Sequence, residues 1–263
     1  MKVLGVIPAR IKSVRLPGKP LLPINGKSLL QRVWEQAKQA KSLTRVVIAT
    51  DSEDIFELAT LIGAEVRMTS DQHYTGTDRV AETAAILKYE GEDFDIVVNI
   101  QGDMPFIKPE IIDHVVDTLI NSDKSYGMCT VARPITDIEE FLNTSVVKVV
   151  VDKDQGALLF SRAPIPFCRD GFDQENVTEK NPFGFKHLGL YVYRQDALNK
   201  LVTFEPERIE SSEKLEQLRA LLNGIKIKVP ILSSKLIEPS IEVDTEEDRL
   251  RAEEYAKSVE LSL

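Results

Sequence analysis

The chain opens on an apolar run, "KVLGVIP", with no polar alternation. Such a run reads as a strand buried on both faces. "SLLQRVWEQAKQA" follows a different period and places Leu29, Leu30, Val33, Trp34 and Ala37 on one helical face. "RVVIAT" predicts a second strand, and Asp51 or Ser52 is the expected cap of the helix "EDIFELATLIG". A short strand "EVRMT", a helix "TDRVAETAAILKYE" and a buried strand "DIVVNIQGD" come next. Pro109 suits the first turn of the helix "EIIDHVVDTLIN". Strands alternating with helices predict crossover units and a parallel sheet. In such sheets the strand ends and the loops after them form the ligand crevice.

Beyond about residue 125 the pattern lengthens into strands. "YGMCTVARP", "SVVKVVVDKDQGALLFSRAPIPF" and "KHLGLYVYR" read as strands with turns such as "DKDQG". "SSEKLEQLRALLNG" reads as one helix closed by Gly224, and "EVDTEEDRLRAEEYAKS" as a loop feeding a last amphipathic helix. The polar stretch from Arg169 to Pro182 is the expected mobile loop. The chain of 263 residues is thus read as a single domain, 1–263, with a strand-rich sublobe within 125–195. Val146, Val147, Val149 and Val151 suit either an apolar interface or a core strand.

Charge sharpens this picture at one place. The formal net charge of −9 argues against nucleic acid and membrane surfaces as partners. No apolar run reaches the length of a membrane span, and "VLGVIPA" is too short for a signal-peptide core. Cys129 and Cys168 give neither a disulfide framework nor a zinc site, so a reducing cytoplasmic location is expected. Against the global sign, "RIKSVRLPGKPLLPINGKS" packs Arg10, Lys12, Arg15, Lys19 and Lys27 directly after the first strand. "NGKS" is no phosphate loop, because the required earlier glycine falls at Leu21. Gly18 permits close backbone approach, and Pro17 and Pro20 stiffen the loop. Arg10, Arg15 and Lys19 suit a triphosphate; a solvated basic loop is the plain alternative. Asp103 and Asp244 each follow an apolar strand. Each reads as a cap or turn former, or as half of a carboxylate pair for Mg²⁺ beside phosphates.

The segments "IPARIKSVRLPGKPLLPINGKSLLQRV", "VVIATD", "MTSDQHYTGTDRVAE", "VVNIQGDMPFI", "VVKVVVDKDQGALLFSRAPIPF", "KHLGLYVYR", "EKLEQLRAL" and "EVDTEED" occur in this order. Together they resemble the CMP-Kdo synthetases, the 3-deoxy-manno-octulosonate cytidylyltransferases, over nearly the whole chain. The resemblance implies a Rossmann-like α/β nucleotidyltransferase sheet flanked by helices, with a smaller strand-rich dimerisation lobe. It implies CTP and an acidic eight-carbon sugar as substrates, Mg²⁺, a homodimer and a role in lipopolysaccharide synthesis. Arg10, Ser13, Arg15 and Lys19 match the family's phosphate-binding loop, and Gln101 the strand-end segment. Asp103 and Asp244 match its magnesium ligands. Thr75, Gly76 and Arg79 match the segment near the nucleoside. Arg162, His187, Tyr191, Glu216 and Gln217 match the sugar-acid pocket, which Gln101 also borders. From the residues alone His187 reads first as a core histidine. An extended strand puts it on the same face as Tyr191, and a helix sets Glu216 and Gln217 about 100° apart.

The chain departs from the family's pattern at Ile11 and Lys12 in the loop, at Met104 after the strand-end aspartate, at "ERIESS", and in the 169–182 loop. These departures bear on the sugar acid rather than on the reaction type. The alternatives are a cytidylyltransferase for 8-amino-Kdo or a sialic acid, and a nucleotide-binding regulator without catalysis. Asp103, Asp244 and Lys19 speak for an enzyme.

Overall fold

The computed structural model describes residues 1–260 apart from 14, 170 and 173. The chain forms two compact units. One comprises Met1–Asp113 with Glu238–Leu263, the other His114–Ile237.

The first unit is built on β1 (Val3–Ala9), from which the chain runs through a short hairpin, β2 (Pro23–Ile24) and β3 (Lys27–Ser28). Asn25 and Gly26 take positive φ, 44° and 80°, which makes "NG" the tip of this hairpin. Helix α1 (Leu29–Ala37) follows, and the Ser28 side chain caps it by accepting from the Gln31 amide at 3.1 Å. Its five predicted apolar residues are all buried. Full burial of a leucine or valine side chain contributes about 1.5–3 kcal/mol, enough to hold a helix of so few turns. β4 (Arg45–Thr50), α2 (Glu53–Leu61), β5 (Glu65–Met68), α3 (Gly76–Tyr89) and β6 (Ile96–Asn99) complete the alternation. The strands run β6-β1-β4-β5, all parallel, as the crossover pattern predicts. One detail differs: Ser52 precedes α2, but its side chain makes no cap bond, and Asp51 turns to Arg79 instead. The boundary between the units falls within α4 (Pro109–Asn121).

The second unit holds β7 (Tyr126–Ile135), α5 (Ile138–Leu142), β8 (Lys148–Val151), β9 (Ala157–Ser161) and β10 (Gly184–Arg194). It continues with α6 (Gln195–Leu201), α7 (Arg208–Glu213), α8 (Gln217–Leu222), β11 (Lys226–Lys228) and α9 (Ser234–Ile237). β7 pairs with β10 antiparallel and with β11 parallel, and the β8–β9 hairpin extends the β10 edge. This unit is wider than the 125–195 stretch because α6, α8 and β11 pack onto those strands. Val149 is fully buried, which makes it a core strand residue, while Val146, Val147 and Val151 are half-buried. In the 169–182 loop the described residues form no strand or helix beyond an isolated bridge between Thr178 and Asn181.

The single helix expected over "SSEKLEQLRALLNG" is two. Lys214 takes a left-handed φ of 55° between α7 and α8. The Glu213 carboxylate is drawn to the end of β9, accepting from Ser161 Oγ at 2.6 Å and the Arg162 amide at 2.9 Å. The two helices are then braced by a buried fork, Arg219 Nε and Nη2 donating to Glu210 at 2.9 and 2.5 Å.

The chain returns to the first unit with α10 (Glu246–Glu260). Ala252 and Ala256 pack with Val243 against Leu16, Ile24 and Leu29, so this last helix seals the base of the basic loop.

Candidate active site

The β1 strand ends at Ala9 and delivers Arg10, Lys12 and Arg15, all exposed, into the loop. The loop closes on itself. Ser13 Oγ accepts from the Leu16 amide, and Gly18, at φ 67°, donates its amide toward Ile11 O while capping a 3₁₀ turn that starts at Lys19. Gly102 lies so near the end of β1 that a Cβ there would sit 3.0 Å from Pro8 O. A larger residue would push the Asp103 segment outward. The Asp103 carbonyl in turn accepts from the Val243 amide at 2.9 Å, and that backbone bond carries Asp244 to the same place. The Asp248 carboxylate fixes Asp244 further, accepting from the Asp244 and Thr245 amides at 3.1 and 2.9 Å.

Lys19 Nζ therefore meets both carboxylates, Asp103 Oδ2 at 2.9 Å and Asp244 Oδ1 at 3.0 Å, and Arg15 reaches Asp244 Oδ2 at 2.9 Å. Burial alone would lower the Lys19 pKa, but the two carboxylates together outweigh it and raise it. Sequence spacing could not bring Asp103 and Asp244 together; the Val243–Asp103 bond does. Two hard carboxylates converging on one cationic group suit a divalent ion of the Mg²⁺ type. Among the described residues no group of three or more His, Cys, Asp or Glu forms a full cage, so such an ion would draw its other ligands from phosphate and water.

The remaining predicted residues of this unit have internal partners. Gln101 Nε2 donates to Asn99 Oδ1 at 3.1 Å. Thr75 forms a capping box with Asp78 at the start of α3, and Gly76 sits against Pro8. Arg79 is 4% exposed and holds Asp51 at 3.2 Å and the Thr69 hydroxyl. Met104, one of the departures, is buried in the core.

In the second unit β10 is not the simple extended strand the sequence suggests. Leu188 faces Val131 and Val192 faces Cys129, so four steps along β10 match two along β7. This bulge brings the His187 and Tyr191 rings to 5.4 Å, far closer than extended i, i+4 neighbours. His187 is 6% exposed, and burial pushes its pKa down to about 3. Its Nε2 lies 2.9 Å from Thr130 Oγ1, which also contacts the Leu188 and Leu190 carbonyls. The single hydroxyl proton goes to a carbonyl, so Nε2 donates and Nδ1 is left as an acceptor. Tyr191 OH donates to Gln217 Oε1 at 3.1 Å. Gln217, the first residue of α8, is 3% exposed, and its Nε2 has no partner among the described residues. Glu216 precedes it and is half-buried. Arg162 Nε donates to Glu213 O at 2.7 Å. Sequence reasoning missed Thr130 and Glu213, which orient His187 and Arg162; neither carries a motif of its own.

A cationic strand-end loop set against two carboxylates, on a parallel α/β sheet, suits a nucleotidyltransferase. The cytidylyltransferase family profile matches residues 4–227. The chain is 43% identical over 263 residues to the 3-deoxy-manno-octulosonate cytidylyltransferase of Pelobacter propionicus, covering 99% of each protein. It is 46% identical over 250 residues to 3-deoxy-manno-octulosonate cytidylyltransferase 2 of Actinobacillus pleuropneumoniae serotype 5b, covering 94% of this chain and 96% of that protein. A solved structure of CMP:2-keto-3-deoxy-manno-octonic acid synthetase complexed with CTP superposes with a TM-score of 0.86 at 34% identity, covering 98% of this chain and 99% of that one. The chain belongs to the cytidylyltransferase family, among its 3-deoxy-manno-octulosonate cytidylyltransferases.

Proposed function

We propose that the protein joins CTP and 3-deoxy-D-manno-octulosonate (Kdo), giving CMP-Kdo and pyrophosphate for lipopolysaccharide synthesis. The observation that carries this reading is the convergence of Lys19 and Arg15 on Asp103 and Asp244, in a chain whose relatives bear that activity in their names.

The sugar's anomeric hydroxyl attacks the α-phosphorus of CTP, and pyrophosphate departs in line. No side-chain nucleophile is needed, so the chain's work is positioning and charge stabilisation. Lys19 and Arg15, with Arg10 of the same loop, bind the β- and γ-phosphates and stabilise the charge that grows on the leaving group. Asp103 and Asp244 would hold Mg²⁺, which when bound supplies Lewis-acid neutralisation of the α-phosphate and a lower pKa for the attacking hydroxyl. Gln217 Nε2 and His187 Nδ1 offer one donor and one acceptor to sugar hydroxyls. We infer a homodimer and a cytoplasmic location from the family likeness. No helix of the described residues is long and apolar enough to cross a membrane.

Pyrophosphate release from CTP with Kdo, 8-amino-Kdo and a sialic acid in parallel tests the reading. Kdo is expected to give the highest kcat/KM. A clear preference for 8-amino-Kdo or the sialic acid would overturn the substrate, and no release with any of them would overturn the activity.

A further inference from the structure

Lys148, on β8, is fully buried, with 0% of its surface exposed. Its Nζ donates to three backbone carbonyls: Asn143 at 2.9 Å, Val146 at 2.7 Å and Arg162 at 2.6 Å. An ammonium has three protons, and these bonds use all of them. A buried cation held by neutral carbonyls instead of a carboxylate is costly, so the site must gain from keeping it. Burial, and then the neighbouring Arg162, lower its pKa, while Glu213 acts in the opposite direction.

The three carbonyls come from two segments, the 143–146 turn and the residue just past β9. Arg162 grips the same turn, with Nη1 3.2 Å from Thr144 O and 3.4 Å from Ser145 O. Its Nε and amide are held by Glu213, at 2.7 and 2.9 Å. The arrangement is a clamp: Lys148 fixes the Arg162 backbone, and the turn that Lys148 pins also receives the guanidinium. Both cations donate to neutral carbonyls, while the nearby Glu213 carboxylate accepts from Ser161 Oγ and the Arg162 amide, so the two cations and the one acid leave a net positive charge for an anionic group.

We propose that Lys148 is a positioning residue for the acidic sugar, holding Arg162 and the 143–146 turn where the guanidinium meets the substrate carboxylate. This rests on the reading of Arg162 as a sugar-acid contact. Lys148 itself does not touch substrate.

The test compares wild type, Lys148→Met, Lys148→Gln and Arg162→Ala in pyrophosphate-release kinetics, varying Kdo and CTP separately. Lys148→Met keeps the apolar stem and removes the donors; Lys148→Gln restores two of them. Lys148→Met is expected to raise the KM for Kdo at least about tenfold with the KM for CTP within about twofold, and Lys148→Gln to recover part of the loss. A merely structural residue would lower the melting temperature and the active fraction but leave both KM values unchanged, and that result overturns the proposal. So does an equal rise in both KM values, or failure of both Lys148 variants to fold, which would mark a folding residue. An unchanged KM for Kdo in Arg162→Ala would overturn it at its other end. A wild-type enzyme inert toward every acidic sugar would instead bring down the functional reading, and this proposal with it.

Discussion

Replacing Gln217 by methionine separates what the side chain does for the fold from what it does for the substrate. Methionine is close to glutamine in volume and keeps α8 helical. The amide carries a buried Nε2 with no partner among the described residues and accepts a bond from Tyr191 OH at 3.1 Å. Removing a buried unpaired donor returns about 1–3 kcal/mol, whereas losing one ordinary hydrogen bond costs about 0.5–1.5 kcal/mol. The ligand-free variant should therefore be as stable as wild type, or more stable by up to about 2 kcal/mol. If Gln217 serves the sugar acid as proposed, the substrate loses a donor worth about 1–3 kcal/mol, and its KM should rise roughly 5- to 150-fold. Urea unfolding without ligand gives the first quantity, and pyrophosphate release with Kdo varied gives the second. A variant that loses more than about 2 kcal/mol of stability while keeping its KM for Kdo would refute the reasoning, because Gln217 would then be a packing residue.

Two further perturbations follow from single contacts. His187 is held neutral down to about pH 3 in the folded state against an ordinary value of 6.5; its contribution to stability is complete above 6.5 and is lost as pH falls, because the unfolded chain takes up the proton first. Wild type should lose about 2 kcal/mol between pH 7.5 and pH 5 through this group, a slope absent from His187→Gln, and parallel pH–stability curves for the two proteins would rule the account out. Gly102→Ala places a Cβ 3.0 Å from Pro8 O and should displace Asp103, lowering kcat roughly 10- to 100-fold with the circular dichroism spectrum intact; an unchanged kcat would mean that the loop adapts.

The first unit was largely legible in the sequence. Apolar runs and helical periods predicted β1, α1, β4, α3 and β6, because each element buries one face and repeats accordingly. The basic loop stood out through its charge against an acidic chain. What could not be read was contact across distance. Asp103 and Asp244 meet through a backbone bond from Val243, which leaves no trace in spacing or composition. Local strain was equally hidden. Lys214 sits in a left-handed conformation more usual for glycine, and nothing in "SSEKLEQLRALL" announces the break. The bulge of β10 changed the reason His187 and Tyr191 meet: a doubled segment opposite Thr130, not an extended face. Lys148 is one charge in an apolar stretch of sequence, and its three carbonyl partners exist only once the 143–146 turn is folded.

Asp103 and Asp244, brought together around Lys19, are proposed to serve transfer of a cytidylyl group to Kdo. The most direct measurement is pyrophosphate release from CTP and Kdo at saturating Mg²⁺ by wild type, Asp103→Asn and Asp244→Asn, each verified as folded. The account predicts release by wild type that depends on Kdo, and loss of most turnover in both variants, because an amide is a poor ligand for a hard dication. Turnover near the wild-type level in either folded variant, or pyrophosphate release indifferent to Kdo, would contradict it.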